Sequence, residues 1–335
     1  MTRRAIPLAA LAAASVLALA GCAGTAAGQR ASDSADTFTI VTSTNVYAQI
    51  VQEIAGDGVS VEAVISSAAQ DPHDYEATAA DQLTVQQADL IIENGGGYDG
   101  FMDSLISASG SSAPVIVAAE YSDSWPGTEA DEHTTDELQE SPHAEEEHTH
   151  AEDAEGHEHI EGFNEHVWYD PHTVEHVADA IAQELTALRP DRADQIASNL
   201  DAFTGGLAEL ETSLGDIGAS HQGEKVFVTE PVPGYLVAAA GLDNATPSEF
   251  SEAVEEGQDV PPATLLEAVN LLKGGTVKVL IANAQAGGAE TDTVIATAKD
   301  NDIPVLEFTE TIPDGQTYLQ WMTQNIEDLA GALNP

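Results

Sequence analysis

Two parallel-sheet α/β lobes joined by one long helix form the fold class that this sequence predicts. Three observations lead there. Short β-favouring runs alternate with helix-period segments both before and after the middle of the chain. Such a βαβα order implies parallel strands with crossover helices on their faces. Between the two stretches lie consecutive amphipathic helical patterns, the second unusually long. The 335 residues, 42% of them hydrophobic, suit two bodies of ordinary size, each able to bury a core.

A leader precedes the fold. Residues 1–21 read as an export signal, with Arg3 and Arg4 as its positive start. Ala5 to Ala20 is a 16-residue apolar run interrupted only by Pro7 and Ser15. That is short for a membrane span and right for a signal core. It ends at Leu19-Ala20-Gly21-Cys22, which resembles a bacterial lipobox, cleaved before a cysteine that then carries the lipid. Cys22 is the only cysteine, so a disulfide framework and a Cys-based zinc site are excluded and a lipid anchor on Cys22 is expected. The small, polar residues of 22–36 suit a flexible tether.

The first lobe is expected over 37–188. Phe38–Val41 reads as a strand. Thr44 to Ala55 places Val46, Ile50, Val51 and Ile54 at helical spacing. Val59–Ile65 is a strand and Thr78–Ala88 a helix. Leu90-Ile91-Ile92 is a buried strand closed by Asn94-Gly95-Gly96-Gly97, and Tyr98–Ser107 (helix) and Pro114–Ala118 (strand) follow. Glu129 to Glu161 breaks the rhythm with 14 acidic residues, six histidines and no Lys or Arg. It has almost no large apolar residues, so it reads as a disordered insertion. Asp170-Pro171 starts a helix to Leu188, with Val174, Val177, Ile181 and Leu185 on one face.

A linking helix is expected within 189–218. Pro190 interrupts the preceding pattern, and Asp191 to Ile217 carries the stripe Ile196, Leu200, Phe203, Leu207, Leu210 and Leu214. Gly205-Gly206 weakens its middle by up to about 2 kcal/mol on propensity, so packing has to support it. The second lobe, 219–335, resumes the rhythm. Lys225–Thr229, Val277–Ile281 and Pro304–Phe308 read as strands. Pro233–Ala240, Pro262–Leu272, Glu290–Lys299 and Gln316–Leu333 read as helices.

Charge narrows the partners. Lys plus Arg number 9 against 58 Asp plus Glu, a formal charge of −49. Nucleic acid and an anionic membrane surface are excluded as docking partners, because both need cationic side chains. The acidity suits cations and an extracytoplasmic setting.

Short polar segments sit where strands end, and ligands of open α/β sheets bind at the carboxyl ends of strands. In Asp71-Pro72-His73-Asp74-Tyr75-Glu76 the proline fixes the loop and presents His73; alone, a loop histidine is commonly exposed and idle. In Asn164-Glu165-His166-Val167-Trp168-Tyr169-Asp170-Pro171, His166 stands beside Trp168 and Tyr169, which read as core packing. His172 and His176, four apart, could share a helix face and a metal, or form a solvated first turn. Val228-Thr229-Glu230-Pro231 places a carboxylate at a strand end; the plain alternative is an N-terminal charge on the following helix. Phe308-Thr309-Glu310-Thr311-Ile312-Pro313 again follows a strand, and taken singly Glu310 is one more surface acid.

Together the four segments resemble the metal-site motifs of the solute-binding proteins of zinc and manganese ABC importers, the cluster A-I family with the TroA-like fold, over essentially all of the chain after the signal. Asp71 to Glu76 matches the family's DPH-[DE]-YE loop, and His166 to Pro171 its HVWLDP motif. Zinc-binding members carry a His- and acid-rich loop between these two. Glu230 stands where the family has a third ligand, His in many zinc proteins and Glu in many manganese ones. Glu310 stands where an Asp is the fourth ligand, with Glu307 as its alternative. The resemblance implies a cleft metal site of His73, His166, Glu230 and Glu310. Two neutral imidazoles and two carboxylates also balance a dication without any thiolate, and zinc accepts four such ligands. Manganese tolerates more oxygen.

The expected function is capture of Zn²⁺, or alternatively Mn²⁺, outside the cytoplasm and delivery to an ABC permease and its ATPase. A monomer held to the membrane only through its lipid is the expected state. His133, His143, His148, His150, His157 and His159 of the insertion would add weak auxiliary metal capture; a solubilising linker is the plain alternative. No catalytic residue is assigned. A metallohydrolase finds no HExxH, nucleophile motif or phosphate loop in its support. A metal-binding surface adhesin or buffer remains the other reading. The long helix implies a stiff hinge and modest closure.

Overall fold

The computed structural model describes residues 38–67, 70, 72–73, 75–126, 160 and 162–334. Cys22, the signal, the tether and the six insertion histidines (His133, His143, His148, His150, His157 and His159) lie outside the described residues. Among the described residues, no helix is long and apolar enough to cross a membrane.

The first lobe is built on β1 (Thr39–Thr44), β2 (Ser60–Ile65), β3 (Leu90–Glu93) and β4 (Val115–Val117), crossed over by α1 (Asn45–Ala55), α2 (Ala79–Gln86) and α3 (Gly100–Ser109). Its strands lie in the order β2-β1-β3-β4, all parallel, with Ile40 opposite both Val61 and Leu90 and Ile91 opposite Val115. The parallel direction follows from helical crossovers, which return each strand in the same direction. α2 is stopped short of the expected Ala88 but begins where Thr78 predicts. The Thr78 hydroxyl accepts from Ala80 and Asp81 N–H groups, and the Asp81 carboxylate accepts from Thr78 N–H.

A 3-10 turn over Val167–Tyr169 leads into α4 (Pro171–Leu188), capped by the Asp170 carboxylate, which accepts from His172 N–H. A second 3-10 turn, Pro190–Arg192, enters α5 (Ala193–His221), 29 residues and roughly 44 Å long. The second lobe follows with β5 (Lys225–Val228), α6 (Gly234–Ala239), β6 (Asp243–Asn244), α7 (Ser248–Glu255), α8 (Pro262–Lys273), β7 (Val277–Asn283), α9 (Ala289–Asp300), β8 (Val305–Phe308) and α10 (Tyr318–Leu333). Its sheet order is β6-β5-β7-β8, again all parallel. β6 and α7 are additions to the sequence reading. A two-residue strand carries no periodicity, and α7 buries only Phe250 among large side chains.

α5 runs straight through Gly205-Gly206. A Cβ on Gly206 would lie 2.5 Å from Leu319 Cδ1, so the bare backbone lets α10 close on α5. That contact supplies the packing which the glycine pair requires.

The sheets alternate their side chains between faces, as strands must. Ile40, Val228 and Ile281 enter one core together with Trp168, Phe308 and the inner sides of α1, α4, α5 and α10. Their neighbours Val41, Phe227 and Leu280 turn outward into separate clusters, one under α2 and α3 and one under α7, α8 and α9. The shared core therefore passes from one lobe into the other. Asn45 adds a polar tie across the same seam: its amide donates to Ile312 O at 2.8 Å, and its Oδ1 accepts from Ile312 N–H at 3.0 Å.

Candidate metal centre

The centre lies between the lobes, at the carboxyl ends of the strands. His73 comes from the loop after β2, and His166 enters the 3-10 turn before α4. Both are buried. Their ring centroids are 5.8 Å apart, and Tyr98 meets each edge-on, at 5.0 Å for His73 and 5.7 Å for His166. Trp168 closes on His166 at 5.2 Å. Trp168 and Tyr169 are core residues, as their sequence setting implies, and they also tie the lobes. Tyr169 stacks on Phe308 and its hydroxyl donates to Thr309 O at 2.6 Å.

Asn164 fixes the tautomer of His166. Its Nδ2 donates to Pro231 O at 3.0 Å, which turns Oδ1 toward His166. That oxygen accepts from His166 N–H at 3.1 Å and lies 2.8 Å from His166 Nδ1. An amide oxygen only accepts, so Nδ1 carries the proton and Nε2 carries the lone pair. Gly234 makes room for this clasp, because a Cβ there would fall 2.7 Å from Asn164 Nδ2.

The second lobe contributes carboxylates. Glu230 follows β5, Glu310 follows β8, and both are buried. Asn283, the last residue of β7, donates through Nδ2 to Glu230 Oε2 at 2.6 Å and to Glu310 Oε1 at 2.7 Å. Gln285 holds the Glu310 loop: its Oε1 accepts from Glu310 N–H at 2.7 Å and from Thr311 N–H at 3.1 Å. Its Nε2 donates to Gln70 O at 3.1 Å, at the foot of the His73 loop.

His73 Nε2 stands 3.6 Å from Glu310 Oε2. Two donors bound at tetrahedral zinc are about 3.4 Å apart, so this spacing suits a shared ion. His73, His166 and Glu310 offer donor atoms that all lie within 4.8 Å of one another. Glu230 is not in that mutually close set, but Asn283 holds it beside Glu310. Glu307 is exposed on β8, so of the two acids the structure places Glu310 in the centre. His172 and His176 sit away from it on α4, with ring centroids 4.8 Å apart. His172 joins Glu175 and Glu211 in a surface cluster.

Several participants escaped the sequence reading. Asn164, Asn283 and Gln285 are one group. Glu165 and Glu255 are another, forming with His73 a second set of donors within 4.8 Å. Glu255 Oε1 lies 3.8 Å from His166 Nδ1. Burial, then the charges of Glu165, Glu230 and Glu310, pushes the Glu255 carboxyl up to about 10. Nearby on the first lobe, burial pushes Glu93 up to about 8, aided by Asp99. Burial also raises Asp99 to about 6, against the Asn94 and Gly95 N–H groups that donate to it. The sequence segments 70–76, 160–170, 229–235, 248–256, 283–287 and 309–313, from which these residues come, contain no Lys or Arg. Imidazole lone pairs and crowded carboxylates, on segments without Lys or Arg, are donor chemistry that a divalent metal ion could use.

Two parallel-sheet lobes joined by one long helix, with nitrogen and oxygen donors buried at their seam, match the solute-binding proteins of metal importers. The sequence profile of the family described as zinc-uptake complex component A, periplasmic, matches residues 40–332, and the chain belongs to that family. The manganese ABC transporter substrate-binding lipoprotein PsaA of Streptococcus pneumoniae is 26% identical over 333 residues, covering 95% of this chain and 96% of PsaA. The zinc-binding lipoprotein AdcA of Streptococcus pneumoniae (strain ATCC BAA-255 / R6) is 25% identical over 297 residues, covering 87% of this chain and 55% of AdcA. The periplasmic zinc-binding protein TroA of Treponema pallidum superposes with a TM-score of 0.67 at 18% identity, covering 89% of this chain and 99% of TroA.

Proposed function

We propose that this protein is the extracytoplasmic receptor of a metal ABC importer, that its cargo is Zn²⁺, and that His73, His166, Glu230 and Glu310 hold it. The observation that carries this reading is the buried trio of His73, His166 and Glu310 at mutual donor distances. Capture needs no chemistry beyond desolvation. The ion exchanges water for imidazole nitrogens and carboxylate oxygens, and the low-dielectric seam strengthens each contact. Asn164 presents the Nε2 lone pair of His166, and Asn283 keeps both carboxylates from turning away. Release to a permease follows movement of the donor loops, since the shared core resists wide opening of the lobes. Export by the N-terminal signal and anchoring through Cys22 place the receptor on the outer face of the membrane.

Manganese is the alternative cargo, and the two carboxylates favour it, because oxygen donors suit that ion. Competition tests the choice. The full chain is stripped with chelator, given equimolar Zn²⁺ and Mn²⁺, desalted, and its metal quantified. A single retained Zn²⁺ is expected. Retained Mn²⁺ with Zn²⁺ displaced makes the carboxylates decisive, and a chain that retains neither ion sinks the receptor reading.

A further inference from the structure

Beside the centre lies a cavity of about 530 Å³ that also spans the lobes. Phe163, Asn164 and Glu165 line it from the first lobe, and Pro231 and the end of α7 line it from the second. Its carboxylates are graded by depth. Glu252 and Glu256 are exposed at its outer part, whereas the Glu255 side chain is 8% exposed. Glu165 is buried.

Glu255 is an awkward residue for stability. It is the last residue of α7, where the helix end is negative. Among the described residues its buried Oε1 makes no hydrogen bond, and His166 Nδ1 lies 3.8 Å from it. That nitrogen is already committed to Asn164. A buried carboxyl whose Oε1 has no hydrogen bond, at the negative end of a helix, is costly to ionise, and a passing dication that displaces its proton relieves that cost.

The two donor sets share a member. His73, Glu165 and Glu255 form one; His73, His166 and Glu310 form the other. An ion held by the first set can reach the second by exchanging Glu165 and Glu255 for His166 and Glu310, with His73 common to both. We propose that the acidic cavity is the loading route for a divalent cation and that Glu255 is a transit ligand on it. This rests on the receptor reading above.

A transit ligand lowers the barrier in both directions and leaves the end states alone. The test is stopped-flow Zn²⁺ loading and chelator-driven release on the full chain, read by tryptophan fluorescence, since Trp168 lies 5.2 Å from His166. In Glu255→Gln, loading and release should each slow by at least about tenfold while the equilibrium affinity moves by less than about threefold. Glu255→Asp should restore part of the rate. Asp259→Asn, which removes an exposed charge close by in sequence, should change loading by less than about twofold. Unchanged rates in Glu255→Gln overturn the proposal. So does an affinity loss of about 100-fold with loading intact, which would make Glu255 a resident ligand. Failure of the unmutated chain to retain Zn²⁺ removes the receptor reading itself and is seen before any variant is made.

Discussion

In the first lobe the proposed donors are imidazoles set among rings. Tyr98 meets both histidines edge-on and Trp168 closes on His166. In the second lobe the donors are carboxylates set by amides, with Asn283 clamping Glu230 and Glu310 and Gln285 holding the Glu310 loop. The difference follows from the groups. An imidazole is a flat, partly apolar ring that packing can orient, and it needs only one hydrogen bond to choose its tautomer. A carboxylate rotates freely and repels its twin, so it must be held by donors. The first lobe's proposed donors are set mainly by ring packing and the second lobe's by amide hydrogen bonds, so each set can be broken by its own kind of mutation.

The largest effect is expected from His73→Ala or His166→Ala. Each removes a donor from the mutually close trio, and neither variant should retain Zn²⁺ through desalting. Retention by both would disprove the assigned ligands. Asn283→Ala should act from behind the carboxylates, weakening Zn²⁺ affinity by about 10–100-fold in a chelator competition. Asn164→Ala should cost about tenfold or less, because aromatic packing still holds the His166 ring when its tautomer is freed. Equal losses at the two asparagines would erase the contrast between the lobes.

Acidity should separate the metal-free fold from the loaded one. Glu93, Asp99 and Glu255 are raised to about 8, 6 and 10. The folded chain therefore keeps protons that the unfolded chain releases above about pH 4. The state that binds more protons is favoured by acid, so metal-free stability falls as pH rises from about 4 to about 8. The melting temperature of stripped protein should thus rise by a few degrees on going from about pH 8 to about pH 5. Zn²⁺ affinity should fall over the same interval, because ligating imidazoles must be neutral. A stripped protein that melts lower at the acid end would contradict the burial argument. The smallest effect on the tight site is expected from deleting Glu129–Glu161, which should leave its affinity unchanged and lower only the total Zn²⁺ bound.

What the sequence made legible was local. His73 follows Pro72 inside a short motif, and His166 stands directly before Val167-Trp168-Tyr169. Glu230 and Glu310 stand out as candidates because each lies two residues after a strand whose apolar run is plain. The alternation of strands and helices was readable for the same reason, down to the Thr78–Asp81 capping box. Asn283 ends a strand too, but its role depends on two acids that only the β5-β7-β8 order brings to it. Gln285 reaches across 215 positions to Gln70. Glu255 was hidden because α7 shows one large buried side chain and otherwise reads as a solvated acidic face. Motifs mark candidate donors; the groups that orient them belong to the tertiary arrangement.

The core that crosses the seam has a thermodynamic corollary. Inner-face residues of both sheets, Ile40 and Ile92 on one side and Val228 and Ile281 on the other, pack in a single cluster with α5 and α10. Neither sheet can lose its inner layer without exposing the other's. Melting should be one cooperative event in calorimetry rather than two, with the most slowly exchanging amides distributed over both sheets. A bound ion at the seam then raises the whole transition together, so the cargo acts as a stabiliser of the entire receptor and not of a single lobe.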